Sequence, residues 1–262
     1  MNSSTVDWTK EFYTRSRERW GPSGILPHHQ DRAGQIARLC GWGKKRVLEL
    51  GAGAGGAAAA MADLGHDVTA MDIAPPAVAY TAELAKEPRA GTLIALEADF
   101  FTAEFEDPFD VVAYWNGFGV GNDADQRRLL KRIATQWLAP NGSLLLDVAN
   151  PLHWARIAGR EQVVETDRAG RFIKRTGFDP VGCRFLDSWS AEDDPSGRID
   201  TQSIRCYSPA DFLLLLEGTG LTARHAEMNG ITFALDGVDA SPRLAFEEGW
   251  EYLVQLVVDP PV

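Results

Sequence analysis

The stretch VLELGAGAGG, residues 47–56, decides the fold. Val47 to Leu50 form a short apolar run that reads as a strand. Gly51-Ala52-Gly53-Ala54-Gly55-Gly56 leads from it into an alanine-rich helix, Ala57 to Leu64. Glycine lets the backbone turn sharply and lets a ligand approach it closely, while the helix start offers free N–H groups. Strand, glycine loop and helix in that order predict a ligand-binding loop. Gly51, Gly53 and Gly56 also satisfy the G-x-G-x-x-G pattern of dinucleotide-binding folds, so the glycines alone leave the ligand open.

Outward from this loop, short apolar runs alternate with helical segments. Strands are expected at 46–50, 67–71, 92–97, 110–115 and 143–149, with helices at 55–64, 75–86 and 123–138, the pattern of βαβ units and a parallel sheet. The third helix is expected to stop at Leu138-Ala139-Pro140-Asn141-Gly142, where proline and glycine turn the chain. Upstream, Trp8, Phe12 and Tyr13 give Asp7 to Trp20 one apolar stripe; GPSGILPHHQ (21–30) reads as a loop and Asp31 to Cys40 as a helix. Between 161 and 207, the runs RFIKRTGF, CRFLDSWS and RIDTQSIRCY, split by turns such as Asp193-Asp194-Pro195-Ser196-Gly197, predict a small antiparallel meander. Ser208 then caps a helix with Pro209 in its first position, and strands at 221–228 and 251–258 follow. The expected division is a helical cap at 1–45, an α/β domain at 46–150 and 208–262, and an insert at 151–207.

The 262 residues are 45 % hydrophobic, enough for a full core. A net charge of −11 opposes nucleic-acid binding, whose affinity rests on Lys and Arg contacts to phosphate. The charge is uneven: residues 1–46 hold nine Lys or Arg against four Asp or Glu. That arm reads either as a solvated amphipathic helix or as a basic surface facing an anionic ligand group. Cys40, Cys183 and Cys206 are too few and too scattered for a disulfide framework or a metal site, so reduced thiols and no metal are expected. No apolar run is long enough to span a bilayer and the N-terminus lacks the apolar segment of a signal peptide, which predicts a cytoplasmic monomer or homodimer with no membrane contact.

Three acids narrow the choice of ligand. Glu49 lies two residues before Gly51, giving E-x-G-x-G-x-G; a carboxylate there suits an ammonium and works against a pyrophosphate. Asp72 ends the strand VTAMD, where an acid can accept both hydroxyls of a ribose, of NAD as well as of other nucleosides. Asp99-Phe100 follows the third strand, where the acid can accept from an adenine amino group and the ring can stack on its face. With these residues in place, the chain resembles the class I S-adenosylmethionine-dependent methyltransferases, whose first motif Val47 to Gly56 matches. The resemblance covers residues 40–150 well and the region after 207 by element order. It implies a Rossmann-like α/β fold with a seven-stranded, mostly parallel sheet, an antiparallel last strand and the meander inserted after the fifth. It implies S-adenosylmethionine as donor and S-adenosylhomocysteine as product. Carried over by position, Glu49, Gly51, Ala52, Gly53 and Gly55 line the methionine and ribose side, Asp72 with Ile73 the ribose, Asp99 and Phe100 the adenine, and Trp115 and Asn116 the region of the methyl.

Methyl transfer from a sulfonium is a direct displacement that alignment and exclusion of water can accelerate, so no universal catalytic residue is required. The run Val111 to Gly119 lacks the Asn-Pro-Pro-Tyr and Pro-Cys motifs of the members that methylate adenine, glutamine or cytosine. It resembles the Asn-Ser-Phe-Gly-like run of small-molecule methyltransferases and departs from it at Gly117. A small-molecule N- or O-acceptor is therefore expected, contacted by Phe118, by Tyr13 and Trp20 of a closing N-terminal segment, and by Trp189, Arg205 and Tyr207 of the meander. Those three also suit an aromatic core of the small sheet. His28, His29 and His153 are the candidates for a general base, because imidazole titrates near working pH; His66 and His225 are expected at surface turns or strands. A nicotinamide- or flavin-dependent oxidoreductase and an idle nucleoside-binding module are the alternatives.

Overall fold

A computed structural model describes residues 3–236 and 243–258. In chain order the first elements are α1 (Ser3–Trp20), α2 (Pro27–Cys40), β1 (Arg46–Leu50), α3 (Gly56–Asp63), β2 (Asp67–Asp72), α4 (Pro75–Leu84), β3 (Thr92–Glu97), β4 (Phe109–Tyr114), α5 (Asp123–Arg132) and β5 (Leu138–Ala149). They are followed by α6 (Pro151–Ile157), β6 (Glu161–Thr166), β7 (Gly170–Asp179), β8 (Arg184–Ala191), β9 (Asp200–Arg205), α7 (Pro209–Leu216), β10 (Leu221–Met228), β11 (Ile231–Thr232), α8 (Arg243–Glu248) and β12 (Glu251–Val258). The expected segments 1–45 and 208–262 include residues 1–2, 237–242 and 259–262, which lie outside the described residues.

One sheet has the order β11-β10-β12-β5-β4-β1-β2-β3, and a second the order β6-β7-β8-β9. β1 to β5 pair in parallel, and β12 is antiparallel to both β5 and β10. The large sheet has eight strands where seven were expected. The eighth, β11, arises because Asn229 and Gly230 both take positive φ, 51° and 79°, and close a two-residue hairpin that pairs Met228 with Ile231.

Along β1, Leu48 and Leu50 turn to one face of the sheet, with Tyr114, Trp137, Phe212 and Tyr252, while Val47 turns to the other, with Met61 and Ile36. The buried alanines 57–60 keep α3 slim enough for α2 to pack closely against it. Asn122 and Asp125 bond each other's backbone N–H at 2.9 and 3.1 Å and so start α5. Ser208 accepts from the Asp211 N–H at 3.2 Å and starts α7 in the expected way.

Several boundaries differ from the sequence reading. α2 begins at Pro27, inside the expected loop: proline's fixed φ suits a first helical turn, and the Leu26 N–H donates to His29 Nδ1 at 3.0 Å. The helix expected over 123–138 ends as a π-helical turn, Ile133–Trp137, and the segment Leu138 to Gly142, expected to turn, is already extended within β5. There the pairing jumps from Phe109–Leu138 to Val111–Ser143, so Pro140 falls where β4 has no partner for it and needs no N–H. The short helices α6 and α8 were not expected.

α1 binds the small sheet through one acid. Asp200, 8 % exposed, takes Arg15 Nη2 at 2.9 Å, Arg19 Nη2 at 3.2 Å and Arg198 Nε at 3.3 Å. Gln202 Nε2 donates to the Tyr13 hydroxyl at 2.6 Å, and Trp20 meets Trp189 edge-on at 5.5 Å between centroids. No helix among the described residues is long and apolar enough to cross a membrane. Asp200→Asn is expected to free α1, because removing one partner strands buried guanidinium charge. Limited trypsin digestion should then cut at Arg15 to Arg19 several-fold faster while Trp137 and the main core keep their protection; unchanged cutting would refute the latch.

Candidate active site

A cavity of about 750 Å³ lies beyond the C-terminal ends of the parallel strands, well inside the range of roughly 300–1,000 Å³ for ligand pockets. Such sheets place ligands in the crevice at this end. Glu49, Gly51, Ala52, Gly53, Asp72, Ile73, Asp99, Phe100, Trp115 and Asn116 all line it. The opposite wall comes from α1 and the small sheet.

The glycine loop is fixed by Asp72. One carboxylate oxygen accepts from the Gly53 N–H at 2.8 Å and the other from the Ala74 N–H at 2.9 Å, while the Ala52 N–H donates to the Met71 carbonyl at 3.0 Å. Gly53 has φ +60°, a conformation that side chains other than glycine resist. Burial pushes the Asp72 carboxyl above the usual range, against the pull of those N–H groups and of Arg17.

Glu49 is 3 % exposed, and its Oε2 is buried without a hydrogen-bond partner. Burial pushes its pKa to about 8; the Asp72 charge adds to the rise and the Arg32 guanidinium opposes it. Arg32, on α2, pairs with Asp147 and, at 2.8 Å, with Glu251, and lies 4.7 Å above the Trp115 ring. Trp115 Nε1 is a second buried polar atom without a partner in this wall. Arg17, from α1, extends over the loop, where a Cβ added to Gly53 would stand 3.5 Å from its Nη1. Burial lowers its pKa, and the neighbouring Asp72 charge opposes that.

Asn116 takes φ +51° at the end of β4, and its N–H donates to Asp147 Oδ2 at 3.2 Å. A Cβ at Gly117 would run into the Tyr114 ring, whose hydroxyl donates to the Gly117 carbonyl at 2.8 Å. Gly117 therefore departs from the Asn-Ser-Phe-Gly-like run because Tyr114 occupies the space a serine would need.

Residues 47–142 match the family described as a methyltransferase domain. The chain's whole fold is similar to the CcbJ methyltransferase of Streptomyces caelestis, with a TM-score of 0.70, 20 % identity and coverage of 94 % of this chain and 96 % of that one. It is also similar to the glycopeptide N-methyltransferase MtfA solved with S-adenosyl-L-homocysteine, with a TM-score of 0.57, 22 % identity and coverage of 90 % and 92 %. In sequence it is 31 % identical over 116 residues to a cypemycin N-terminal methyltransferase of a Streptomyces species. That match takes in 44 % of this chain and spans about half the length of the relative, 46 % of it.

The N-terminal candidates Tyr13, Trp20, His28 and His29 and the meander's Trp189 also line the cavity. His29 is in addition tied to the start of α2 and packs where a Cβ at Gly56 would collide with its ring. Other candidates are outside the lining. Gly55 faces Thr81 of α4, where a Cβ would clash. Phe118 is 2 % exposed and packs on Tyr207 and Phe212 in the core. Tyr207, 1 % exposed, donates to Asp123 at 2.8 Å, and Arg205 binds the same carboxylate at 3.1 Å while lying over the Tyr207 ring. Both hold the strand that returns the chain to the main sheet. His153 sits on α6, its Nδ1 3.0 Å from the Glu248 carbonyl oxygen. His66, expected at a surface turn, is 4 % exposed and accepts from the Lys45 N–H.

Arg17, Arg32, Asp187, Gln202 and Trp250 also line the cavity, and the sequence reading does not single them out. For Arg17 a signal existed: Thr9, Tyr13, Ser16, Arg17 and Trp20 recur at helical spacing on one face of α1. With Glu49 protonated up to about pH 8 against an ordinary 4.5, the folded state retains a proton that the unfolded chain releases. The resulting stability is complete below the lower value and lost as pH rises to the upper one. Glu49→Gln should reduce this decline by up to a few kcal/mol, at about 1.4 kcal/mol per unit of pKa. Glu251, also pushed up to about 8 by burial and by Asp147, keeps the remainder. Scanning calorimetry across that range tests this; parallel curves for the two proteins would refute it.

Proposed function

We propose that the chain is an S-adenosylmethionine-dependent N-methyltransferase acting on an amine of a small molecule or natural product. The observation that carries the reading is the charge pattern at the glycine loop. Glu49 and Arg17 flank it, an acid and a guanidinium at the place where an amino-acid zwitterion would bring its ammonium and carboxylate. An ammonium beside Glu49 would draw its proton off and be held by the resulting carboxylate, a pairing that a pyrophosphate cannot offer, which argues against a nicotinamide or flavin cofactor.

In this reading Glu49 receives the donor's ammonium and Arg17 its carboxylate. Asp72 has one lone pair per oxygen committed to the loop and offers the others to the ribose hydroxyls. Asp99, which already accepts from the Phe101 N–H at 2.9 Å, and Phe100 border the adenine. The donor supplies an electrophilic methyl and leaves as S-adenosylhomocysteine. Asn116 and Gly117 border the reaction centre, and the walls from α1 and the small sheet keep water from it. His28, exposed at the cavity's edge, is the group placed to pass the released amine proton to solvent.

The N-methyltransferase relatives act in their names on peptide and glycopeptide amines, which supports an amine acceptor here. The division into cap, methyltransferase domain and inserted lid belongs to the same reading, as do a cytoplasmic location, a monomer or homodimer, and independence of nucleic acid, the last supported by the net charge of −11. Native mass spectrometry of the purified protein should find S-adenosylmethionine or its demethylated product; a bound NADP or flavin would overturn the reading. Asp72→Ala and Arg17→Ala should each weaken S-adenosylhomocysteine binding by roughly 1–3 kcal/mol, the cost of leaving a hydrogen-bonded partner unmatched. Unchanged calorimetric affinity in either variant would remove that residue from the donor site.

A further inference from the structure

Four carboxylates line the cavity among the described residues, and three of them, Glu49, Asp72 and Asp99, belong to the strand ends of the large sheet. The fourth, Asp187, stands alone on β8 of the small sheet. We propose that Asp187 is the acceptor-recognition residue, and that with the rings of Trp20 and Tyr13 it selects an acceptor carrying a basic amine. This rests on the methyltransferase reading above and adds to it the charge of the acceptor and the side chain that reads it.

The Asp187 carboxylate is oriented yet incompletely matched. Trp189 Nε1 donates to Oδ2 at 2.9 Å and fixes the group. Oδ1 is buried and has no hydrogen bond; its nearest cation, Lys174 Nζ, stands off at 3.5 Å and lies over the Trp189 ring, 5.2 Å from the centroid. Arg19, the other cation nearby, is committed to Asp200 and lies over the Phe172 and Trp189 rings, 4.5 and 5.2 Å from their centroids. Oδ1 is shut off from the cavity, whereas Oδ2 carries one hydrogen bond and keeps a lone pair, so the capacity left for a ligand N–H is on Oδ2.

The surroundings fit a cation. Trp189 is 7 % exposed and Trp20, edge-on to it, is 41 % exposed, so one indole forms wall and the other rim. Aromatic faces beside a carboxylate attract an ammonium through the ring quadrupole as well as through charge. Opposite Asp187 in the β8–β9 register is Gln202, whose amide donates to the Tyr13 hydroxyl and leaves the phenol proton free for the same ligand. Burial pushes Tyr13 up to about 12, so that proton is retained at working pH. The roof thus offers one acceptor group and one donor group side by side.

The test uses full-length protein saturated with S-adenosylhomocysteine and pairs of probes that differ in charge: methyl glucosaminide against methyl glucoside, alanyl-alanine amide against its N-acetyl form, and benzylamine against benzyl alcohol. Binding is read by saturation-transfer NMR and calorimetry. At least one amine should bind the wild type ten-fold or more tightly than its neutral partner, and Asp187→Asn should erase that preference while leaving S-adenosylhomocysteine affinity and thermal midpoint unchanged. Lys174→Met, which removes the competing cation, should tighten the same amine several-fold. A charge preference that survives Asp187→Asn, no preference in any wild-type pair, or weaker amine binding in Lys174→Met would each overturn the assignment. Failure of the wild type to bind S-adenosylhomocysteine would sink the methyltransferase reading itself, and the acceptor assignment with it.

Discussion

The pair of hydrogen bonds that Asp72 accepts from Gly53 and Ala74 is the constraint on which the site depends. β1 and β2 run side by side in register from Arg46–Asp67 to Leu50–Met71, so both strands end at the same level, and the loop leaving β1 has to turn within reach of the acid that ends β2. Asp72 thereby sets the height of the glycine loop, the start of α3 and the start of α4 together. The same carboxylate sits beside Arg17 and raises Glu49, so it couples the shape of the loop to its charge. A neutral residue at 72 would lose both at once, which is why binding and backbone geometry are not separable there.

The opposite wall is assembled by a different principle. The strand ends are positioned by a sheet whose core residues are almost fully buried, whereas the roof is positioned by polar contacts between α1 and the small sheet. Asp200 gathers Arg15, Arg19 and Arg198, and Gln202 holds Tyr13. Residues nearly 190 positions apart in sequence are thus joined by hydrogen bonds and ion pairs more than by a shared apolar core. Elements held mainly in this way open at lower cost than a core does. A rigid floor and a looser roof follow from that contrast.

How much of this was legible in the sequence tracks the same contrast. Strand positions 46–50, 92–97, 221–228 and 251–258 coincide with β1, β3, β10 and β12; β1 and β12 are buried, and buried strands need apolar runs that stand out from their surroundings. The floor residues were legible because their loop is built from glycines and acids at fixed distances from strand ends. Pro140 and Gly142 misled because each has a use inside a bulged strand that mimics its use in a turn. Asn229-Gly230 carried a plain hairpin signal, but the strand it opens is too short to show an apolar pattern. Among the aromatic candidates, Trp189 faces the cavity while Phe118 and Tyr207 face the core. Sequence cannot separate these cases, since a ring suits either side and only the packing of α7 and β12 decides.

The basic character of the first 46 residues gains its meaning from this arrangement. Of its cations, Arg15 and Arg19 are spent on Asp200, Arg32 on Asp147 and Glu251, and Arg38 on Glu227, each an acid from a segment far along the chain. The excess of acid elsewhere is thus partly neutralised by an arm folded back over it. Arg17 lies on the same helix, but the charge it neighbours, Asp72, already serves two backbone N–H groups. An ion pair with Asp72 would draw that carboxylate away from the loop, so the guanidinium's electrostatic demand is met best by an anion arriving from the cavity. The arm therefore does two things with one composition: it fastens the roof to the sheet, and it leaves the half-buried Arg17 over the glycine loop, facing the cavity.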